Sequence, residues 1–141
     1  MSWLRSLFGG GKDEELPSDA TTEITLPLNL PESFDPRLVL VEAEEVYADL
    51  HTGQQVTFID VRERRAFRKG HITKSEHVPL LDLPEFIPRA PPRDRLVLYC
   101  ETGHHSQRGA LYLRSNGLHD AWSIKGGLQA WKKVGGTMAD D

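Results

Sequence analysis

The stretch LVLYCETGHHSQRGALYLRSNGL, residues 96–118, decides how the rest of the chain reads. Residues 96–100 form an apolar run of the kind that buried strands favour. Largely polar residues follow, and then 106–117 carries a helical pattern with Ala110, Leu111 and Leu113 apolar. Asn116 and Gly117 stop that helix, and Ser106 stands where an N-cap is expected. Strand, turn and helix in that order is the repeating unit of a parallel sheet. Cys100, the only cysteine in the chain, falls at the carboxyl end of the strand.

Outward from this stretch the same alternation recurs. RLVLV (37–41) predicts a short strand, and EAEEVYADLHTG (42–53) predicts a helix with Val46, Tyr47 and Leu50 inward, stopped at Gly53. QVTFIDV (55–61) is a β-branched run suited to a buried parallel strand. RERRAFRKG (62–70) reads as a short basic helix, EHVPL (76–80) as a short strand, and LDLPEFIPRAPPRDR (81–95) as a proline-broken excursion. AWSIKGG (121–127) supplies a last strand and turn, and LQAWKKVGG (128–136) a last helix. Trp122 and Trp131 fall on apolar stripes and are assigned to the core. The predicted fold class is α/β, a parallel sheet with helices on both faces, and its active crevice is expected at the carboxyl ends of the strands.

A chain of 141 residues has room for one domain with a substantial core. That domain is placed at 37–138, after an N-terminal extension at 1–36 and before a short tail at 139–141. In the extension, Trp3, Leu4, Leu7 and Phe8 share one face of a two-turn helix that Gly9, Gly10 and Gly11 cut off. Residues 12–36 are acidic and interrupted by Pro17, Pro27, Pro31 and Pro36, so they read as linker or extended cover, with ITLPLNL (24–30) as a candidate edge strand. The balance of 38% hydrophobic and 27% charged residues describes a soluble globular protein. A net charge of -4 gives no general pull toward nucleic acid. No apolar run reaches the roughly 18 residues of a membrane span, and none near residue 1 suits a secretory signal, so the expected localisation is cytoplasmic.

Position is what singles out Cys100. A strand-to-helix turn gathers free backbone N–H groups into one concavity, and the helix dipole adds positive potential there. Such a turn favours negative charge, and thiolate is the nucleophilic form of cysteine. Gly103, in the middle of the turn, permits the positive φ that a tight cradle needs.

With these residues in view, the chain resembles the rhodanese-like sulfurtransferases. FIDVRERRAFRKGHITKSEHVPL (58–80) is similar to the family's strand ending in Asp-Val-Arg, short helix, Gly-His-Ile and second short strand. LVLYCETGHHS (96–106) resembles its strand and Cys-x-x-Gly-x-x-Ser loop. GLHDAWSIKGGLQAWKKVGG (117–136) resembles its closing strand, Gly-Gly turn and final helix with an inward tryptophan. The resemblance implies a single rhodanese-like domain whose central parallel sheet has about five strands. It also implies a two-step transfer of sulfane sulfur. Cys100 takes the sulfur from thiosulfate or a persulfide donor, becomes a persulfide, and yields it to a thiol or cyanide acceptor. On the same basis Cys100 is the catalytic nucleophile. Glu101, Thr102, Gly103, His104, His105 and Ser106 form the donor pocket, with the backbone N–H groups of 101–105 around the sulfur. Asp60 and Arg62 support the loop from beside it, and neither a metal nor an organic cofactor is needed.

Two positions depart from the family's usual loop, which often carries Arg after the cysteine and a basic residue before the serine. Here they are Glu101 and His105. Glu101 sets a negative charge where an anionic donor must enter, and His105 is positive only when protonated, so weak thiosulfate binding or a different donor is expected. The alternative function is a binding or regulatory module, or a persulfide carrier acting with a partner protein; retention of Cys100 favours chemistry. Cys100, His104 and His105 lack the fourth ligand of a structural zinc site. His51, His71, His77 and His119 show no ligand spacing, and His71 is expected to satisfy local backbone groups. A cysteine phosphatase needs Arg six residues after its cysteine, where this chain has Ser106; Arg108 comes too late. Asp60 and Glu63 have capping-box spacing. Arg62, Arg64, Arg65, Arg68 and Lys69 read as a solvated face, or as one that draws an acidic partner or an anionic donor.

Overall fold

The structure is a computed structural model, and it describes residues 35–140. The short apolar helix expected at Trp3, Leu4, Leu7 and Phe8 and the edge strand expected at 24–30 lie outside the described residues. In chain order these form β1 (Leu40–Val41), α1 (Ala43–His51), β2 (Val56–Asp60), α2 (Arg64–Lys69), β3 (His71–Ile72) and β4 (Glu76–His77). Then come α3 (Leu83–Phe86, between 3-10 turns Leu80–Asp82 and Ile87–Arg89), β5 (Arg95–Tyr99), α4 (His104–Ser115), β6 (Ala121–Ile124), α5 (Gly127–Lys133) and β7 (Met138–Ala139).

The main sheet has five strands in the order β1-β6-β5-β2-β4, parallel throughout. Side chains alternate across a strand, so β5 sends Leu96, Leu98 and then Cys100 to one face, and Val97 and Tyr99 to the other. On the first face they pack with Leu80, with Leu83 and Phe86 of the excursion, and with Leu113 of α4. On the second they join Val46 of α1 and Leu128 and Trp131 of α5. Both faces are therefore covered, as a parallel sheet requires.

Several details differ from the sequence reading. The strand expected at 37–41 shrinks to Leu40–Val41, because Pro36–Leu38 takes a 3-10 turn. Leu50 does not point inward but is 41% exposed, at the rim of a groove with Val56, Phe58 and Trp131. Trp122 is only half-buried, since β1 begins opposite Ser123 and leaves the start of β6 uncovered. Its ring packs against the guanidinium groups of Arg95 and Arg114, and its Nε1–H donates to Asp120. Trp131 is buried as expected, edge-on to Tyr47 and tilted against Phe58. A second, antiparallel sheet pairs His71 with Ala139 and Ile72 with Met138, so a strand lies where the sequence reading ended the domain.

Trp131→Ala should cost about 3–5 kcal/mol in urea unfolding, the usual loss for truncating a buried tryptophan. The exposed Leu38→Ala should stay within about 0.5 kcal/mol of the parent.

Candidate active site

The site begins with a register. β2 and β5 pair from Val56 opposite Arg95 to Asp60 opposite Tyr99, so the residues that follow emerge side by side at the carboxyl ends. These are Val61 and Arg62 from one strand and Cys100 and Glu101 from the other. Cys100 faces the α4 side and is 6% exposed. The Gly103 N–H donates to its Sγ at 3.0 Å, and Ser106 Oγ lies 3.6 Å from the same sulfur.

Gly103 makes that hydrogen bond possible. Its φ of +101 turns the chain back under the sulfur, and it serves as the N-cap of the twelve-residue α4. α4 thus begins at His104 and not at Ser106, which corrects the N-cap assignment. Ser106 lies inside the first turn, buried, where its hydroxyl donates to Gly103 O at 3.3 Å and shares a 2.7 Å hydrogen bond with Ser123 Oγ. The positive end of the α4 dipole sits beside the thiol.

The loop rests on a second turn. Leu128 N–H donates to Cys100 O at 3.0 Å, and a Cβ on Gly127 (φ +63) would fall 2.6 Å from the carbonyl oxygens of both Cys100 and Glu101. Only glycine allows this backbone-on-backbone contact.

Beside the cysteine, Asp60 and Arg62 form a buried ion pair, with Arg62 9% exposed and Asp60 inaccessible. Asp60 accepts from the Arg62 backbone N–H at 2.9 Å and from Nε and Nη2 at 3.0 and 2.7 Å. Arg62 Nη2 also donates to Gly70 O at 2.6 Å, and Nη1 to Glu101 Oε1 at 2.9 Å. Burial works against the Arg62 charge, but hydrogen bonding to and attraction by Asp60, then the bond to Glu101, outweigh it and raise its pKa above the ordinary guanidinium value. Burial, and then repulsion from Asp60, likewise push the Tyr99 hydroxyl upward. The capping-box reading of Asp60 and Glu63 is thereby replaced: α2 begins at Arg64 with Glu63 in the N-cap position, and Asp60 is occupied with Arg62. Arg62 also leaves the solvated basic face assigned to it.

Cys100, Glu101, Thr102 and His105 line one cleft of about 320 Å³ with Arg62 and Glu63. His104 is exposed, with its Nδ1 3.0 Å from Thr102 Oγ1. Gly103, Ser106 and Asp60 lie behind the lining, where they position it. Among the described residues no three His, Cys, Asp or Glu side chains converge as metal ligands, and no helix is long and apolar enough to cross a membrane. Sequence reasoning missed Ser123, whose only signal was a small polar residue inside a buried strand, and Gln129, which donates to Glu101 Oε2 at 3.3 Å. It also missed the Arg62–Glu101 bridge, which spans 39 positions in the chain.

Comparison with known proteins places the family and the fold. The model of the Rhodanese-like domain family matches residues 42–134. The thiosulfate sulfurtransferase GlpE of Stutzerimonas stutzeri is 33% identical over 92 residues, 65% of this chain and 83% of that protein. GlpE of Pseudomonas aeruginosa strain PAO1 is 33% identical over 94 residues, 67% of this chain and 84% of the relative. The solution structure of a rhodanese-like domain from Anabaena superposes with a TM-score of 0.66 at 25% identity, over 77% of this chain and 81% of that one. A rhodanese-related protein from Thermoplasma volcanium shares the fold with a TM-score of 0.65 at 23% identity, over 73% and 99%.

Asp60→Asn should destabilise the protein by about 3 kcal/mol in chemical denaturation, because it leaves the buried Arg62 charge short of a partner; adding Arg62→Met should recover part of the loss. Gly127→Ala should cost at least about 2 kcal/mol and change the rate at which Cys100 reacts with a thiol reagent, since the loop above it has to move.

Proposed function

The chain belongs to the rhodanese-like domain family, and from that premise we propose that it is a sulfurtransferase working through a persulfide on Cys100. The observation that carries this reading is the sulfur itself: held at the end of the sheet, hydrogen-bonded by the Gly103 N–H, and at the base of a cleft. A donated N–H and the positive end of α4 both stabilise negative sulfur, as a thiolate before transfer and as a persulfide anion after it. In the first step Sγ attacks the sulfane sulfur of the donor. Its S–S bond breaks, and the remainder leaves with the bonding pair, as sulfite when thiosulfate is the donor. In the second step an acceptor thiolate or cyanide attacks the outer sulfur, and Cys100 leaves as thiolate. No metal or organic cofactor takes part in either step.

The cleft is a poor match for thiosulfate. Its lining carries one guanidinium against two carboxylates, Glu63 and Glu101, and that guanidinium is already engaged by Asp60 and Glu101. A persulfide donor, with less charge beside the transferred sulfur, suits it better.

The direct test is intact-mass spectrometry of the protein after incubation with thiosulfate or a persulfide, with Cys100→Ser alongside. A gain of about 32 mass units, one sulfur, on the parent alone is expected. No gain from either donor means that the cysteine serves a binding module and not transfer. Glu101→Gln should raise kcat/KM for thiosulfate about fivefold, the effect of removing one like charge worth about 1 kcal/mol at a solvated cleft.

A further inference from the structure

The bridge between Arg62 and Glu101 is a wall shared by two clefts. On one side is the Cys100 cleft; on the other is a groove of about 240 Å³ floored by Leu128 and Met138 and flanked by Lys69 and Lys132. The two differ in charge. Apart from Arg62 and Glu101, which both share, the cysteine side adds a carboxylate, Glu63, and the far side adds two ammonium groups. Lys69 and Lys132 are exposed, and no acidic side chain among the described residues pairs with either. The wall is loosely held, because Glu101 is 53% exposed and, among the described residues, its second oxygen is tied only by Gln129 at 3.3 Å.

We propose that this groove seats the carboxylate end of an organic persulfide donor whose sulfur end lies at Cys100. The inference rests on the reading of Cys100 as a sulfur carrier, and it names the class of donor. A compact dianion such as thiosulfate must put all its charge on the carboxylate-lined side. A donor with its carboxylates set apart from its sulfur by a short flexible chain puts each end where the charge favours it. Leu128 and Met138 cover the apolar part of that chain. Together the two clefts reach the size usual for a small-molecule site. The transfer balances without an outside oxidant or reductant. The Cys100 thiolate forms a bond to the terminal sulfur of R–S–SH, the donor's S–S bond breaks, and R–S⁻ departs with the electron pair and leaves Cys100–S–SH.

The test compares glutathione persulfide with the persulfide of its diethyl ester, which has the same backbone without the carboxylates. Transfer is followed as sulfur gained by Cys100. The acid should be preferred over the ester in kcat/KM by about tenfold, as two exposed charge contacts allow, and added salt should erode the preference. The double variant Lys69→Gln/Lys132→Gln should bring the ratio near one. Lys133→Gln removes an exposed charge from the same helix outside the groove and should leave the ratio intact. A parent ratio near one, or an unchanged ratio in the double variant, overturns the proposal while sulfur transfer by Cys100 stands. If neither persulfide loads Cys100 while thiosulfate does, the proposal falls and sulfur transfer by Cys100 stands; if none of the three donors loads it, both fall.

Discussion

The functional end of the molecule depends on how β2 lies against β5. With Asp60 opposite Tyr99, the chain leaves both strands at one level, and Arg62 meets Glu101 directly above the sheet. A slip of one residue would exchange the faces of a strand. Cys100 would then turn from the α4 side toward Trp131, away from the helix N-terminus that faces it here. The near-continuous apolar runs of both strands resist such a slip only weakly. The polar residues at their ends set the register more firmly.

The firmest of these is Asp60. A carboxylate with no access to water is costly unless charge and hydrogen bonds offset its desolvation. Arg62 supplies both, through its side chain and its own backbone N–H. The same guanidinium then reaches Gly70 O and Glu101. One side chain thus joins the end of β2, the turn after α2 and the cysteine loop. This turns Glu101 from an unopposed charge at the mouth, as the sequence suggests, into half of an ion pair. Its effect on an anion remains, because the partner it holds is withheld from the donor.

The alternation of strands and helices was legible because a buried parallel sheet writes long apolar runs between turn residues. The position of Cys100 followed from one such run, and the family from the order of three motifs. Other features left weaker traces. Ser106 has the chemistry of an N-cap, but the residue that caps α4 lies three positions earlier, Gly103 in the left-handed region. The sheet of β3 and β7 has two residues per strand, too short for any period to register. Leu50 and Trp122 fit apolar stripes, yet the elements that would cover them stop short. The bridges from Arg62 to Glu101 and from Ser106 to Ser123 join residues far apart in sequence, and only the sheet order brings them together.

The contact beneath the cysteine loop is made of main chain on both sides: Gly127 against the carbonyls of Cys100 and Glu101, with Leu128 N–H bonded to Cys100 O. Glu101, Thr102, His104 and His105 take no part in it with their side chains. The location of the sulfur and the choice of what reaches it are therefore written in different alphabets. Substitutions at the four outward positions can rewrite the second while the first stays fixed, which makes this loop a separable module for redirecting donor preference on an unchanged scaffold.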